Sequence, residues 1–122
     1  MASTINSVFT LSSSTGTDPL SIRIAPTFAI GDPTGSGSVT TSATTSESIL
    51  SSAQSKDTYV FLRNTGASSA GNVLVTDGGT PANIALLKPQ DFMFMPLKGG
   101  TGLRINYDTA TTTLDWFYWT RG

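Results

Sequence analysis

Four of the seven aspartates, the two tryptophans and one Ser–Lys neighbour pair are the side chains of this 122-residue sequence singled out as candidates for chemistry. A nucleophilic hydroxyl needs a base beside it, and the chain has neither His nor Cys. That removes the usual general base, the pH switch near neutrality, the commonest metal ligand and every thiolate site. Ser55-Lys56 offers a substitute base, but neighbours on an extended chain point apart. Asp77, Asp91, Asp108 and Asp115 are of the type that pairs up in glycoside hydrolysis. Asp77 and Asp108 border Gly- or Thr-rich turns, where Asp bonds local backbone. The four are too dispersed for an Asp-x-Asp-x-Asp-Gly calcium loop. Gly35-Ser36-Gly37 lacks the GK[ST] and the helix start of a phosphate loop. Trp116 and Trp119, three apart on a strand, face opposite sides, so without a bulge they do not form one sugar-stacking platform. The reading is non-enzymatic, with no catalytic, cofactor-binding or metal-binding residue expected.

Composition narrows the class further. A chain of this length fits one domain, burying roughly two-thirds of its unfolded surface without staples. Charged residues are 12% of the chain and the net charge is −1. Neither nucleic acid nor an anionic membrane surface is therefore an expected partner. Ser and Thr dominate the polar set instead. The N-terminal stretch Met1-Ala2-Ser3-Thr4-Ile5-Asn6 has no basic start or apolar run, so no signal peptide is expected. No run approaches 18 consecutive apolar residues, so no membrane helix is expected either.

The elements that would position these residues are strands. Residues 1–17 read as an arm or short edge strand, with Phe9 and Leu11 alternating with Thr10 and Ser12. Residues 12–17 read as a loop. Leu20, Ile22 and Ile24 alternate with Ser21 and Arg23, predicting a half-buried strand with Arg23 on its wet side. Residues 31–37, with three glycines and a proline, read as a turn or exposed loop. From Ser38 to Gln54 the pattern suits strand or loop, with one helical turn allowed near Glu47. Thr58 to Asn64 and Asn72 to Asp77 read as an antiparallel pair joined by a moderate loop. Strands at 84–87, 92–97, 103–107 and 112–120 follow, separated by turns at 88–91, 99–102 and 108–111. No long 3.6-residue period appears. The expectation is an all-β fold, an antiparallel β-sandwich over residues 18–122.

Seven of the eleven aromatic residues lie in 83–122. A small antiparallel sandwich normally wets one face of each strand. The segments 59–62, 92–97 and 116–119 are apolar or aromatic on both faces, so something must cover the second one. The N-terminal arm is one possibility. A partner subunit is the other, since monomers rarely expose large apolar patches. The partner subunit is favoured, with Phe92, Phe94, Trp116, Phe117 and Trp119 as oligomer-interface candidates.

Three blocks share a cadence: Tyr59-Val60-Phe61-Leu62-Arg63-Asn64-Thr65-Gly66, Asn72-Val73-Leu74-Val75-Thr76-Asp77-Gly78-Gly79, and Leu87-Lys88-Pro89-Gln90-Asp91-Phe92-Met93-Phe94-Met95-Pro96. Over roughly residues 58–122 the chain resembles small β-rich virion proteins of tailed bacteriophages. The resemblance lies in turn and strand chemistry and carries over no functional residue. It implies a jelly-roll-like sandwich, often a homotrimer, that binds the outside of a capsid built of the major capsid protein and cements neighbouring capsomers. It further implies assembly in the host cytoplasm and residence on the capsid surface. A tail-fibre, neck or host-receptor or carbohydrate-binding β module is the alternative.

Overall fold

The computed structural model describes residues 3–12, 21–41, 46–67, 70–78, 82–107 and 112–121. The loop at 12–17 beyond Ser12, Leu20, Gly79 and the turn at 108–111 with Asp108 lie outside the described residues. The chain is all-β. Its strands are β1 (Ser3–Asn6), β2 (Phe9–Ser12), β3 (Ser21–Ile24), β4 (Thr27–Thr41), β5 (Ser46–Leu50), β6 (Thr58–Asn64), β7 (Val73–Asp77), β8 (Asn83–Leu87), β9 (Phe92–Leu97), β10 (Leu103–Tyr107) and β11 (Thr112–Arg121). A five-stranded sheet runs β1-β4-β11-β6-β9 and a four-stranded sheet runs β5-β10-β7-β8. All pairings are antiparallel. A separate two-stranded sheet, β2-β3, spans the expected arm boundary at residue 17.

The sandwich core follows from period-2 alternation. Val60 and Leu62 on β6, Leu97 on β9 and Leu114 on β11 meet Val73 and Val75 on β7 and Leu103 and Ile105 on β10. All but Leu97 are fully buried, and Leu97 nearly so. At about 25 cal/mol per Å² of apolar area, each such side chain stabilises by roughly 1.5–3 kcal/mol.

Three expectations need correction. The first concerns residues 31–37, which form the interior of the 15-residue strand β4 rather than a loop. Its glycines are seats for rings: a Cβ on Gly37 would lie 2.5 Å from the Trp116 indole, and one on Gly35 equally close to the Tyr118 ring. Trp116 pairs with Gly37 and Tyr118 with Gly35 in register, and the two rings stack, 6.0 Å apart and 4° from parallel. The ladder shifts register between Trp119 and Thr120, opposite Thr34 and Gly31, so the intervening Asp32-Pro33 is taken up as a bulge. The second is the pairing of the strands at 58–64 and 72–77. β6 pairs with β9 and β11, whereas β7 pairs with β8 and β10 in the other sheet. Where the connection between them crosses the sandwich, the buried Asn64 bonds to Gly71 in the connection and to Leu87 of β8 in the other sheet. The third is the strand at 21–24. Its Ile24 is half exposed, because β2-β3 lies outside the sandwich. No helical turn forms at Glu47; Ser46–Leu50 is a strand along β10.

Candidate interaction surface

The outer face of the five-stranded sheet collects the second, unexplained apolar faces into one surface. Register aligns them in rows. Phe94, Phe61 and Phe117 stand opposite one another across β9, β6 and β11, and Pro96, Tyr59 and Trp119 form the next row. A third row is Phe92, Arg63 and Asp115, which sets opposite charges across β6 and β11. Beyond β11 the rows end on Thr34, Ser36 and Ser38 of β4, all exposed hydroxyls. The aromatic surface thus has a polar border on one side and β9, the outermost strand of its sheet, on the other.

The rings contact one another closely. Phe61 lies 6.3 Å from Phe92 and 6.1 Å from Phe117, and Phe117 stacks on Trp119 at 5.9 Å and 7°. Tyr59 stacks on Phe94 at 5.8 Å and 13°. Such pairs contribute about 0.5–1.5 kcal/mol each beyond burial. The Arg121 guanidinium sits 5.2 Å above the Tyr59 ring, a cation–π contact that also shields that ring.

Part of the cover comes from the same chain. Phe28, at the start of β4, lies 4.6 Å from Tyr59 and 5.6 Å from Phe94, and Phe9 of β2 meets Phe92 edge-on at 6.2 Å. The N-terminal arm therefore leans on the aromatic face. It does not seal it. Phe92 remains 51% exposed, Phe94 40% and Phe117 39%. Between arm and sheet runs an open apolar groove of about 550 Å³, whose lining includes Val8, Phe9 and Ile24 on one side and Phe61, Phe92 and Phe94 on the other.

Of the five interface candidates, Phe92, Phe94, Phe117 and Trp119 share this outer face. Trp116 does not join them: its ring lies on the inner face, packed against the core. The opposite facing of the two tryptophans follows from strand alternation. The sequence reading left Phe9, Phe28 and Arg121 out of the candidate set. Phe28 and Ile30 alternate visibly, but nothing local says that Phe28 reaches Tyr59 and Phe94 on the outer face of its own sheet.

Two aspartates, of which Asp91 was a candidate for chemistry, hold the backbone of turns. Asp91 Oδ2 accepts from the Lys88 backbone N–H (3.0 Å), and Asp57 Oδ1 accepts from that of Gly99 (2.8 Å). Ser55 and Lys56 sit exposed in the connection before β6. Asn64, missed as a site, is fully buried at the sandwich rim. Its Nδ2 donates to the carbonyls of Gly71 (3.0 Å) and Leu87 (3.1 Å), and its Oδ1 accepts from Gly66 N–H (3.0 Å). Next to it Gln90 holds a left-handed φ of 76°, donating from Nε2 to Gly66 O (2.7 Å). At another point of the rim the Tyr107 hydroxyl donates to Glu47 Oε2 (2.9 Å). Burial, then that hydrogen bond, then the carboxylate charge push the Tyr107 phenol above its ordinary pKa. Among the described residues no group of three or more His, Cys, Asp or Glu could hold a metal ion.

Compared with known proteins, the chain matches no family model, no curated protein and no solved structure.

Proposed function

We propose that this chain is a non-enzymatic structural protein of a virion, a capsid decoration protein that binds the outer capsid surface and stabilises the head. The observation that carries the reading is the aromatic outer face, with Phe92, Phe94 and Phe117 left exposed beside a leaning arm. A surface of that kind serves association between proteins. Among the described residues its groove has one polar lining residue, Ser7, which gives a sugar little to bond and favours an apolar protein partner over a carbohydrate. The step from association to the capsid rests on the resemblance of residues 58–122 to phage virion proteins, which also favours a jelly-roll-like arrangement and a homotrimer. In this reading the major capsid protein is the second partner. Many weak contacts per trimer add through effective concentration, so modest affinity per site suffices to clamp capsomers.

Copy number tests the reading. Densitometry of purified particles should give hundreds of copies per particle, and particles lacking the protein should lose their contents at lower temperature. A few tens of copies would point to a fibre or neck role and overturn the proposal.

A further inference from the structure

The arm and the aromatic face carry matching surfaces that one chain does not bring fully together. In the β2-β3 hairpin Phe9 pairs with Ile24, so both project from the same face, and Leu11 follows two residues along β2. All three are exposed, and so is Val8 beside them. The hairpin continues the β1–β4 ladder in the same register past the Ser7 N–H to Pro26 C=O bond, and among the described residues it pairs with no further strand. A two-stranded hairpin alone in water is marginal and needs a surface to lie on. In the isolated chain it touches that surface at the Phe9–Phe92 corner and leaves the groove open.

Among the described residues, no strand pairs with the outer side of β9, which borders the groove. Asn64 N–H donates to Asp91 O, and Gln90 N–H donates to Asn64 O. Asn64 therefore turns its backbone groups toward β9, and by alternation so do Leu62, Val60 and Thr58. Their partners Met93, Met95 and Leu97 face back toward β6. Phe92, Phe94 and Pro96 must then direct their backbone outward. Pro96 fits, having no N–H to offer a ladder. The free edge of β9 thus presents the N–H groups of Phe92 and Phe94, the same residues whose rings are most exposed on this face.

The surface that fits this face is the chain's own hairpin, as the Phe9–Phe92 contact shows. The chain exposes 7276 Å². A compact monomer of 12.7 kDa exposes about 6,200 Å² by mass scaling. The chain therefore exposes more surface than a compact monomer of its mass, in keeping with a hairpin that stands off the sandwich. Tighter closure of the arm on its own chain would still leave Phe117 bare, since it lies outside the groove.

We infer that the arm is an exchange element: the β2-β3 hairpin of one copy lies on the aromatic face and free β9 edge of the next copy of this chain. The inference rests on the oligomeric part of the function proposed above. Because the contact joins two different patches, it closes either by reciprocal exchange about a two-fold axis or head-to-tail around a ring.

The chain has no Cys, so introduced thiols report cleanly. Full-length Phe9→Cys and Phe92→Cys chains, carrying tags of different mass, are co-expressed and oxidised or bridged with a short bismaleimide. Each has a single thiol, so a mixed cross-linked species forms only between copies. The expected result is that the mixed species dominates over either like pair. On unsubstituted protein, hydrogen exchange at the Phe92 and Phe94 amides should slow at least tenfold in the assembled state relative to diluted monomer. An oligomer by light scattering that gives no mixed species, and whose two amides exchange as in the monomer, overturns arm exchange while leaving the oligomer standing. A single species at the monomer mass at high concentration overturns both.

Discussion

Replacing Asn64 with alanine should cost this protein a large share of its stability, and the structure sets the amount. The side chain is fully buried and satisfies three backbone groups from three segments: Gly66 N–H, Gly71 C=O and Leu87 C=O. All three parent residues are buried. Truncation leaves each group without a partner, at about 1 kcal/mol or more apiece, so the loss is roughly 3 kcal/mol. Against a total of about 5–15 kcal/mol for a domain, that is roughly a fifth to three-fifths of what holds the fold. Guanidinium unfolding followed by tryptophan fluorescence should show a lower midpoint with unchanged slope, and the melting temperature should fall by about 10 °C. A loss below about 0.5 kcal/mol, the level of an ordinary surface substitution, would refute the reasoning.

Asn64→Asp separates the donors from the packing. A carboxylate keeps the bond from Gly66 N–H but directs negative charge at two carbonyl oxygens. Burial and those carbonyls raise its folded-state pKa above the unfolded value of about 3.9. The unfolded chain then releases its proton first, so stability falls as pH rises above about 4. The variant should lie closer to the unsubstituted protein at pH 3.5 than at pH 7. An equal gap at both pH values would mean that Nδ2 is not engaged with the carbonyls.

Three other perturbations probe different parts of the fold. Gly37→Ala places a methyl group within 2.5 Å of the Trp116 indole; the ring must shift, at about 1–3 kcal/mol, and its fluorescence should move toward that of an exposed indole, whereas an unchanged spectrum and midpoint would sink the ring-seat account. Gln90→Ala keeps the left-handed backbone while losing the bond to Gly66 O and should cost about 1 kcal/mol, but Gln90→Gly trades that bond for relief of about 1 kcal/mol of backbone strain and should be near neutral by thermal melting. Tyr107 ionises less readily folded than unfolded, so the unfolded state releases its phenolic proton first and stability should fall as pH rises above about 10; Tyr107→Phe should flatten that alkaline limb, and identical slopes for both proteins would count against the burial of the phenol.

How far the fold could be read in advance depended on whether its causes were local. β6, β9, β10 and β11 were legible because alternation of residue type is a property of the strand itself: Val60 and Leu62 go in, Tyr59 and Phe61 go out. β4 was not legible, because Gly35 and Gly37 carry a turn signal when read along the chain and their reason lies some eighty residues away, in Tyr118 and Trp116. Partner choice was equally hidden. The strand pattern of 58–77 does not say that β6 and β7 belong to different sheets; Asn64 marks the crossing only through bonds to Gly71 and Leu87 that the folded rim brings together. The interaction surface fell between these cases. Its existence followed from strands with two apolar faces, and four of its members, Phe92, Phe94, Phe117 and Trp119, came directly from the sequence. Its shape required knowing that register lines Phe94, Phe61 and Phe117 into one row and ends that row on Ser36. The same register explains why Trp116 belongs elsewhere: one residue along a strand changes the face, so Trp116 packs against the core while Phe117 stays exposed on the outer side. Shifting β11 by one residue would move Phe117 and Trp119 into the core and bring Trp116 and Tyr118 out over the arm. Gly35 and Gly37 oppose that slip, because only the native register places glycine under those two rings. The glycines that obscured β4 in the sequence are therefore what keeps the aromatic face on the outside.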